Sequence, residues 1–225
     1  MQTVEMMQNI NSFMGSKYMN KNVLIPNGID TRLFKPDYRK RRSKLKIVYT
    51  GRLVEQKDPL TFLNSIKLYS KKNRDLEVCI LGDGVLLGKM REFANINKLN
   101  DIIKFYGWVS KPEMVKQYQA AHISVVTSVF EGMSISVLES LACGCFLLST
   151  PIDGINEVIT SGENGVVVDF HSAEDIASQL DSYYNERFLK NYTIPEPVMS
   201  KLITRYDWNN IVPQYEKVFK SIVSA

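Results

Sequence analysis

Two carboxylates eight residues apart, Glu131 and Glu139, frame the stretch of this sequence that carries the most chemical information, Ser128-Val129-Phe130-Glu131-Gly132-Met133-Ser134-Ile135-Ser136-Val137-Leu138-Glu139. It follows an apolar run and opens an amphipathic one, so Gly132 to Ser136 should lead into a helix whose first amides form an anion site. A carboxylate beside a bound phosphate would repel it, so a ligand role for either glutamate points to neutral hydroxyls, which a carboxylate accepts well. Glu139 has an alternative: Ser136-x-x-Glu139 matches a capping box, with the glutamate bonding back to the backbone. Glu131 has no such structural role available.

Three other loops carry candidate groups. Gly51-Arg52-Leu53-Val54-Glu55-Gln56-Lys57 offers a planar fork and a point charge that together suit a diphosphate, or else serve as ordinary surface charge. Gly82-Asp83-Gly84 reads equally as a phosphate-cradling turn and as a plain tight turn. In Pro151-Ile152-Asp153-Gly154-Ile155-Asn156-Glu157, the carboxylates of Asp153 and Glu157 either orient a ligand or cap a short helix. His122 opens a strand and His171 sits among polar turn residues, so neither suggests a general base. The three cysteines, Cys79, Cys143 and Cys145, lack the partners of a zinc site and read as small buried thiols in a reducing cytosol. No metal or cofactor is expected. Asn191-Tyr192-Thr193 matches a glycan-acceptor pattern by chance.

These loops need a frame to hold them. Short β-branched runs alternate with longer amphipathic ones, the pattern of βαβ units around a parallel sheet covered by helices on both faces. Strands are expected at Asn22–Pro26, Leu45–Thr50, Leu76–Leu81, Ile102–Tyr106, His122–Thr127, Cys145–Ser149 and Gly165–Val168. Helices are expected at Pro59–Lys72, with Asp58 as N-cap, and at Leu86–Asn97, Lys111–Ala120, Ser136–Ala142 and Ala173–Asn185. Residues 1–20 read as a helix, and residues 206–225 as a last amphipathic helix with a stripe of Trp208, Val212, Tyr215 and Phe219. In such a sheet ligands bind outside the carboxyl ends of the strands, where all of the loops above lie. The net charge of +4, from 28 basic and 24 acidic residues, gives no case for nucleic acid. No apolar run approaches the roughly 20 residues of a membrane span, and the N-terminus has no signal-peptide pattern.

Taken in order, IPNGID (Ile25–Asp30), GRLVEQK (Gly51–Lys57), GDG (Gly82–Gly84), FYGWVS (Phe105–Ser110), FEGMSISVLESLACG (Phe130–Gly144) and SGENGVVV (Ser161–Val168) resemble the family 4 retaining glycosyltransferases. The resemblance spans roughly residues 20–225. Two departures stand out: Asp153 precedes Gly154 where the family often has a second glycine, and His122 stands where an aspartate is common. The resemblance implies an α/β fold, a Rossmann-like doubly wound parallel sheet forming one half of a GT-B architecture. Residues 21–205 would be the nucleotide-sugar domain, residues 1–20 a remnant or connector of a missing N-terminal domain, and residues 206–225 a helix packing toward that domain.

Carried over by position, Arg52 and Lys57 would hold the donor diphosphate with the amides of Met133, Ser134, Ile135 and Ser136. Glu131 would contact the transferred sugar, Glu139 the ribose hydroxyls, and the backbone around Trp108 and Val109 the base. Gly51, Gly82, Asp83, Ser128, Gly132 and Gly154 complete the expected donor site. The implied reaction moves a hexose from a UDP or GDP sugar to a glycan or lipid-linked acceptor, without a metal, in the cytoplasm or at the inner membrane face. Two other readings are a nucleotide-sugar-binding module inactive without a separate acceptor domain, and an epimerase of related architecture, which the glutamate spacing disfavours. The basic run Arg39–Arg42 with Lys44 and Lys46 suggests either peripheral contact with anionic lipid or a solvated loop.

Overall fold

Strand β1 (Leu45–Thr50) sends alternate side chains into two apolar layers, and this alternation sets the architecture. Ile47 and Tyr49 join one layer and Val48 the other, as the two-residue period of a strand requires. Five more strands complete a parallel sheet: β2 (Leu76–Leu81), β3 (Ile103–Gly107), β4 (Ile123–Val126), β5 (Phe146–Ser149) and β6 (Gly165–Val167). Their order is β3-β2-β1-β4-β5-β6. The chain reverses direction across the sheet between β1 and β4, which opens a crevice at their carboxyl ends. The computed structural model describes residues 2–14 and 22–223.

Helices cover both faces. On the Ile47 side lie α2 (Pro59–Tyr69), α3 (Leu87–Ile96) and α7 (Ala173–Glu186), contributing Phe62, Met90 and Ile176 to the core. On the Val48 side lie α4 (Lys111–Ala120), α5 (Ile135–Ala142), α6 (Ile155–Val158) and α8 (Glu196–Tyr206). Two helices stand outside this sandwich: α1 (Val4–Met14), which buries none of its own residues, and α9 (Trp208–Val223), which buries Ile211. The α9 stripe of Trp208, Val212, Tyr215 and Phe219 is exposed, as is Phe13 of α1.

Three expectations need correction. Asn22–Pro26 is not a strand. Both flanks of β1 are taken by β2 and β4, so this run stays outside the sheet, where Ile29 makes a single bridge to Asp207. The capping box at Ser136 and Glu139 does not form: the helix starts at Ile135 with Ser134 as N-cap, which puts Ser136 inside the first turn. Helix α8 was not expected; Pro195 at its N-cap and Pro197 in its first turn mask a pattern in which Met199, Leu202 and Tyr206 are buried at helical spacing. Residues 1 and 15–20 of the expected first helix, and 224–225 of the last, lie outside the described residues. Among the described residues no helix is long and apolar enough to cross a membrane. The three cysteine thiols are buried, as expected, and burial pushes those of Cys79 and Cys145 up to about 11 and 12.

Candidate functional site

The carboxyl edge of the sheet is held together by glycine backbones. A Cβ on Gly82 would lie 1.9 Å from the carbonyl oxygen of Gly51, so the loops after β1 and β2 touch main chain to main chain. The amide of Gly51 donates to Leu81 at 3.0 Å, and that of Gly82 to Gly107 at 2.7 Å. Gly51 and Gly82 both have positive φ, 152° and 145°, a conformation open to glycine at little cost. Their close approach is to each other. The Asp83 carboxylate accepts the Gly84 amide at 2.7 Å, the behaviour of a turn residue.

On this edge the loop after β1 and the loop after β4 are stitched together. Val129 N–H donates to the Gln56 carbonyl at 2.9 Å, and Gln56 Nε2 to the Phe130 carbonyl at 2.9 Å. Gln56 also accepts from Arg52 Nη2 at 3.3 Å. Lys57 pairs with Glu131, and Ser128 Oγ donates to the same Glu131 oxygen. Thr127 Oγ1 lies 2.8 Å from the carbonyls of both Lys57 and Asp58. Asp58 caps α2 by accepting Thr61 N–H at 3.3 Å, from a left-handed backbone with φ of 43°.

Beyond Glu131 the chain passes Gly132 and enters α5. Within the described residues the amides of Met133, Ser134, Ile135 and Ser136 have no acceptor. Four open N–H groups at a helix start, with Lys57 on the neighbouring loop, form a positive cradle. Asn27 Nδ2 fixes the loop by donating to the Met133 carbonyl at 2.8 Å. One and a half turns into α5, the Glu139 side chain is half-buried and has no hydrogen-bond or ion-pair partner. Burial raises its carboxyl to about 7, with Lys111 pulling the other way. A half-buried carboxylate without a partner has acceptor capacity to spare.

Two pieces of the site were not legible in sequence. The first is Gln56, the bridge between the loops; its place between Arg52 and Lys57 was the available signal. The second is the start of α1. Thr3 is fully buried, and its methyl carbon lies 2.6 Å from where a Cβ on Gly154 would sit; Met6 Cε lies 3.2 Å from that of Gly132. Val4 N–H donates to Glu157 Oε1 at 2.9 Å, while Glu157 also pairs with Arg205. Glu157 is thereby occupied in tying α1 to α8. Trp108 and Val109 follow edge strand β3, Trp108 strongly exposed. His122 accepts the Lys46 amide at 3.0 Å through Nδ1, at the opposite end of the sheet from the cradle, and His171 meets Asp58 at 2.6 Å.

The model of the family described as "Glycosyl transferases group 1" matches residues 30–196. The chain belongs to this family. Among group 1 relatives, the D-inositol 3-phosphate glycosyltransferase of Paenarthrobacter aurescens is 28% identical over 173 residues, covering 72% of this chain and 42% of that protein. A human phosphatidylinositol N-acetylglucosaminyltransferase component is 27% identical over 201 residues, covering 88% of this chain and 41% of that protein. The chain thus spans less than half the length of these relatives. Anabaena Alr3699/HepE, solved with UDP and glucose, superposes with a TM-score of 0.84 at 16% identity, over 98% of this chain and 62% of that one. The C-terminal domain of the group 1 protein LpcC from Francisella tularensis superposes at 0.70 with 26% identity, over 80% of this chain and all of that one (100%). The fold is therefore the Rossmann-like α/β one found in GT-B glycosyltransferases.

Proposed function

We propose that this chain is the donor-binding half of a retaining glycosyltransferase and holds a nucleotide diphosphate sugar at the carboxyl ends of β1, β2, β4 and β5. The row of open amides from Met133 to Ser136, beside Lys57 and Arg52, carries this reading. Those groups would take the diphosphate. Glu139, which repels phosphate and has no cation partner, would take the ribose diol. Trp108 and Val109 would flank the base. UDP is the nucleotide in the HepE complex and also in that of S. aureus TarM, which superposes at 0.83 with 18% identity, so a uridine donor is the first to test.

In the reaction the acceptor oxygen would approach the anomeric carbon from the side of the leaving diphosphate. The carbon–oxygen bond to the acceptor forms as the bond to the diphosphate breaks, with retention, and the acceptor proton passes to a phosphate oxygen. Arg52, Lys57 and the α5 amides offset the charge that grows on the leaving group; each such preorganised donor is worth about 10²–10³ in rate. Glu131, held by Ser128 and Lys57, lends electrostatic support to the positive sugar. Transfer also needs an acceptor-binding domain. Two relatives named for inositol phosphate and phosphatidylinositol make a phosphorylated or lipid-linked acceptor the natural class to assay.

Calorimetric titration with UDP, GDP and ADP tests the site. Arg52→Ala and Glu139→Ala are expected to weaken the preferred nucleotide at least tenfold, about 1.4 kcal/mol each. Unchanged affinity in both would overturn the assignment.

A further inference from the structure

At the opposite end of the sheet, where β1, β4 and β5 begin, lies a cavity of about 490 Å³ lined by Tyr38, Arg41, Arg42, His122, Tyr183 and Tyr192 among others. The six residues of β1 separate it from the donor loops by roughly 20 Å at about 3.3 Å per residue. We propose that this cavity is a second anion site, built on Arg41 and Arg42, for a phosphate group carried by an organic ligand.

The ion pairs of the basic run single out these two arginines. Arg39 and Lys40 pair with Asp37, Lys44 with Asp75 and Lys46 with Glu77. Arg41 and Arg42, the two that line the cavity, have no acidic partner among the described residues. Arg41 is fixed in place: Nη2 donates to the Gly144 carbonyl and the guanidinium sits 4.5 Å from the Tyr38 ring centre. Its Nε–H is nonetheless buried with no acceptor. A guanidinium with one donor unmet and no carboxylate beside it has hydrogen-bonding capacity to spare.

His122 lines the same cavity. Its Nδ1 accepts the Lys46 amide, so the neutral ring carries its proton on Nε2. Burial, Arg41 and Lys46 together hold its pKa down to about 4. Burial is the larger cause and the two cations add to it, so the ring stays neutral beside a guanidinium that no carboxylate among the described residues offsets. The rings of Tyr38, Tyr183, Phe188 and Tyr192 share the rest of the wall with Ser43, Leu189, Asn191 and Thr193, a surface for the organic part of the ligand. A phosphate here has two sources, the headgroup of an anionic lipid or a soluble phosphorylated compound.

The test is a titration of the full chain with inorganic phosphate at constant ionic strength, read by the NMR signals of the Arg41 Nε–H and the His122 ring. Saturable shifts of both are expected. Arg42→Ala removes an exposed side chain and should keep the fold; it should weaken binding about tenfold, the worth of one charge-assisted hydrogen bond, while nucleotide affinity stays unchanged. Arg41→Lys should weaken binding similarly. The absence of shifts, or equal shifts in Arg42→Ala, overturns the proposal. Co-sedimentation with phosphatidylcholine vesicles only when they contain phosphatidylglycerol, lost in Arg42→Ala, assigns the lipid source; phosphate binding without co-sedimentation assigns the soluble one.

Discussion

Lys57 and Glu131, 74 residues apart in sequence, meet as an ion pair whose side chains are only 14% and 13% exposed. One comes from the loop after β1 and the other from the loop after β4, the two strands flanking the switch in chain direction. The pair therefore joins the two loops that border the crevice, and it sets the cation proposed for the diphosphate beside the carboxylate proposed for the sugar.

Removing one partner leaves the other charge partly buried and uncompensated, which costs about 1–3 kcal/mol. Lys57→Ala and Glu131→Ala are each expected to lose stability of that order in urea unfolding, and the double variant less than their sum. Nucleotide affinity should split the two: Lys57→Ala weakens UDP strongly, whereas Glu131→Ala, which frees Lys57 for phosphate, does not. Equal losses in both would make the pair structural only.

Glu139 should give two opposite pH trends. Its folded carboxyl is raised to about 7 by burial, above the ordinary value, so the folded state holds the proton more tightly than the unfolded one. Stability from this group is then greatest at low pH and falls as pH rises from the ordinary glutamate range through about 7. The charged carboxylate is the better acceptor for ribose hydroxyls, so nucleotide affinity should rise across the same window. Glu139→Gln should flatten both trends, as melting curves and titrations on either side of neutrality would show. A wild-type affinity independent of pH would remove Glu139 from the ligand.

The strand runs were legible because β-branched residues buried on both faces leave a continuous apolar signal, and β1 and β2 were read to the residue. The glutamate loop was legible because its serines and glycine could only lead into a helix start. The same serines misled at the cap: Ser134 and Ser136 both fit an N-cap by type, and the chain turns at the first. Asn22–Pro26 misled for a different reason. Its composition suits a strand, but pairing depends on which edges are free, and β1 had none. The contact of Thr3 and Met6 with Gly154 and Gly132 had no local signature, since neither partner's sequence neighbourhood records what packs on it.

Two glycines separate steric need from habit. A Cβ at Gly82 would sit 1.9 Å from the Gly51 carbonyl oxygen, whereas at Gly88, within α3, nothing lies within 4 Å. Gly82→Ala must push apart the β1 and β2 loops in a backbone region closed to alanine, and should cost more than about 3 kcal/mol, with loss of nucleotide binding. Gly88→Ala should stabilise by about 0.5–1 kcal/mol through helix propensity. Thermal melts of the pair measure this difference, and a small effect at Gly82 would show that the glycine contact does not set the loop.

Asp58 tests how Lys57 is aimed. It holds φ at 43°, caps α2 through Thr61, and presents its carbonyl to Thr127 beside that of Lys57. Asparagine tolerates the left-handed backbone and can cap, so Asp58→Asn should stay near wild type. Glycine keeps the conformation and loses the cap side chain. Alanine loses both, at about 1 kcal/mol for the cap and about 1–2 kcal/mol for the backbone strain. Stability is therefore expected to fall in the order Asn, Gly, Ala, and UDP affinity to follow it because the same backbone sets the position of Lys57. If Asp58→Gly melts below Asp58→Ala, the left-handed conformation is not what this position supplies, and the link from the α2 cap to the Lys57 loop fails.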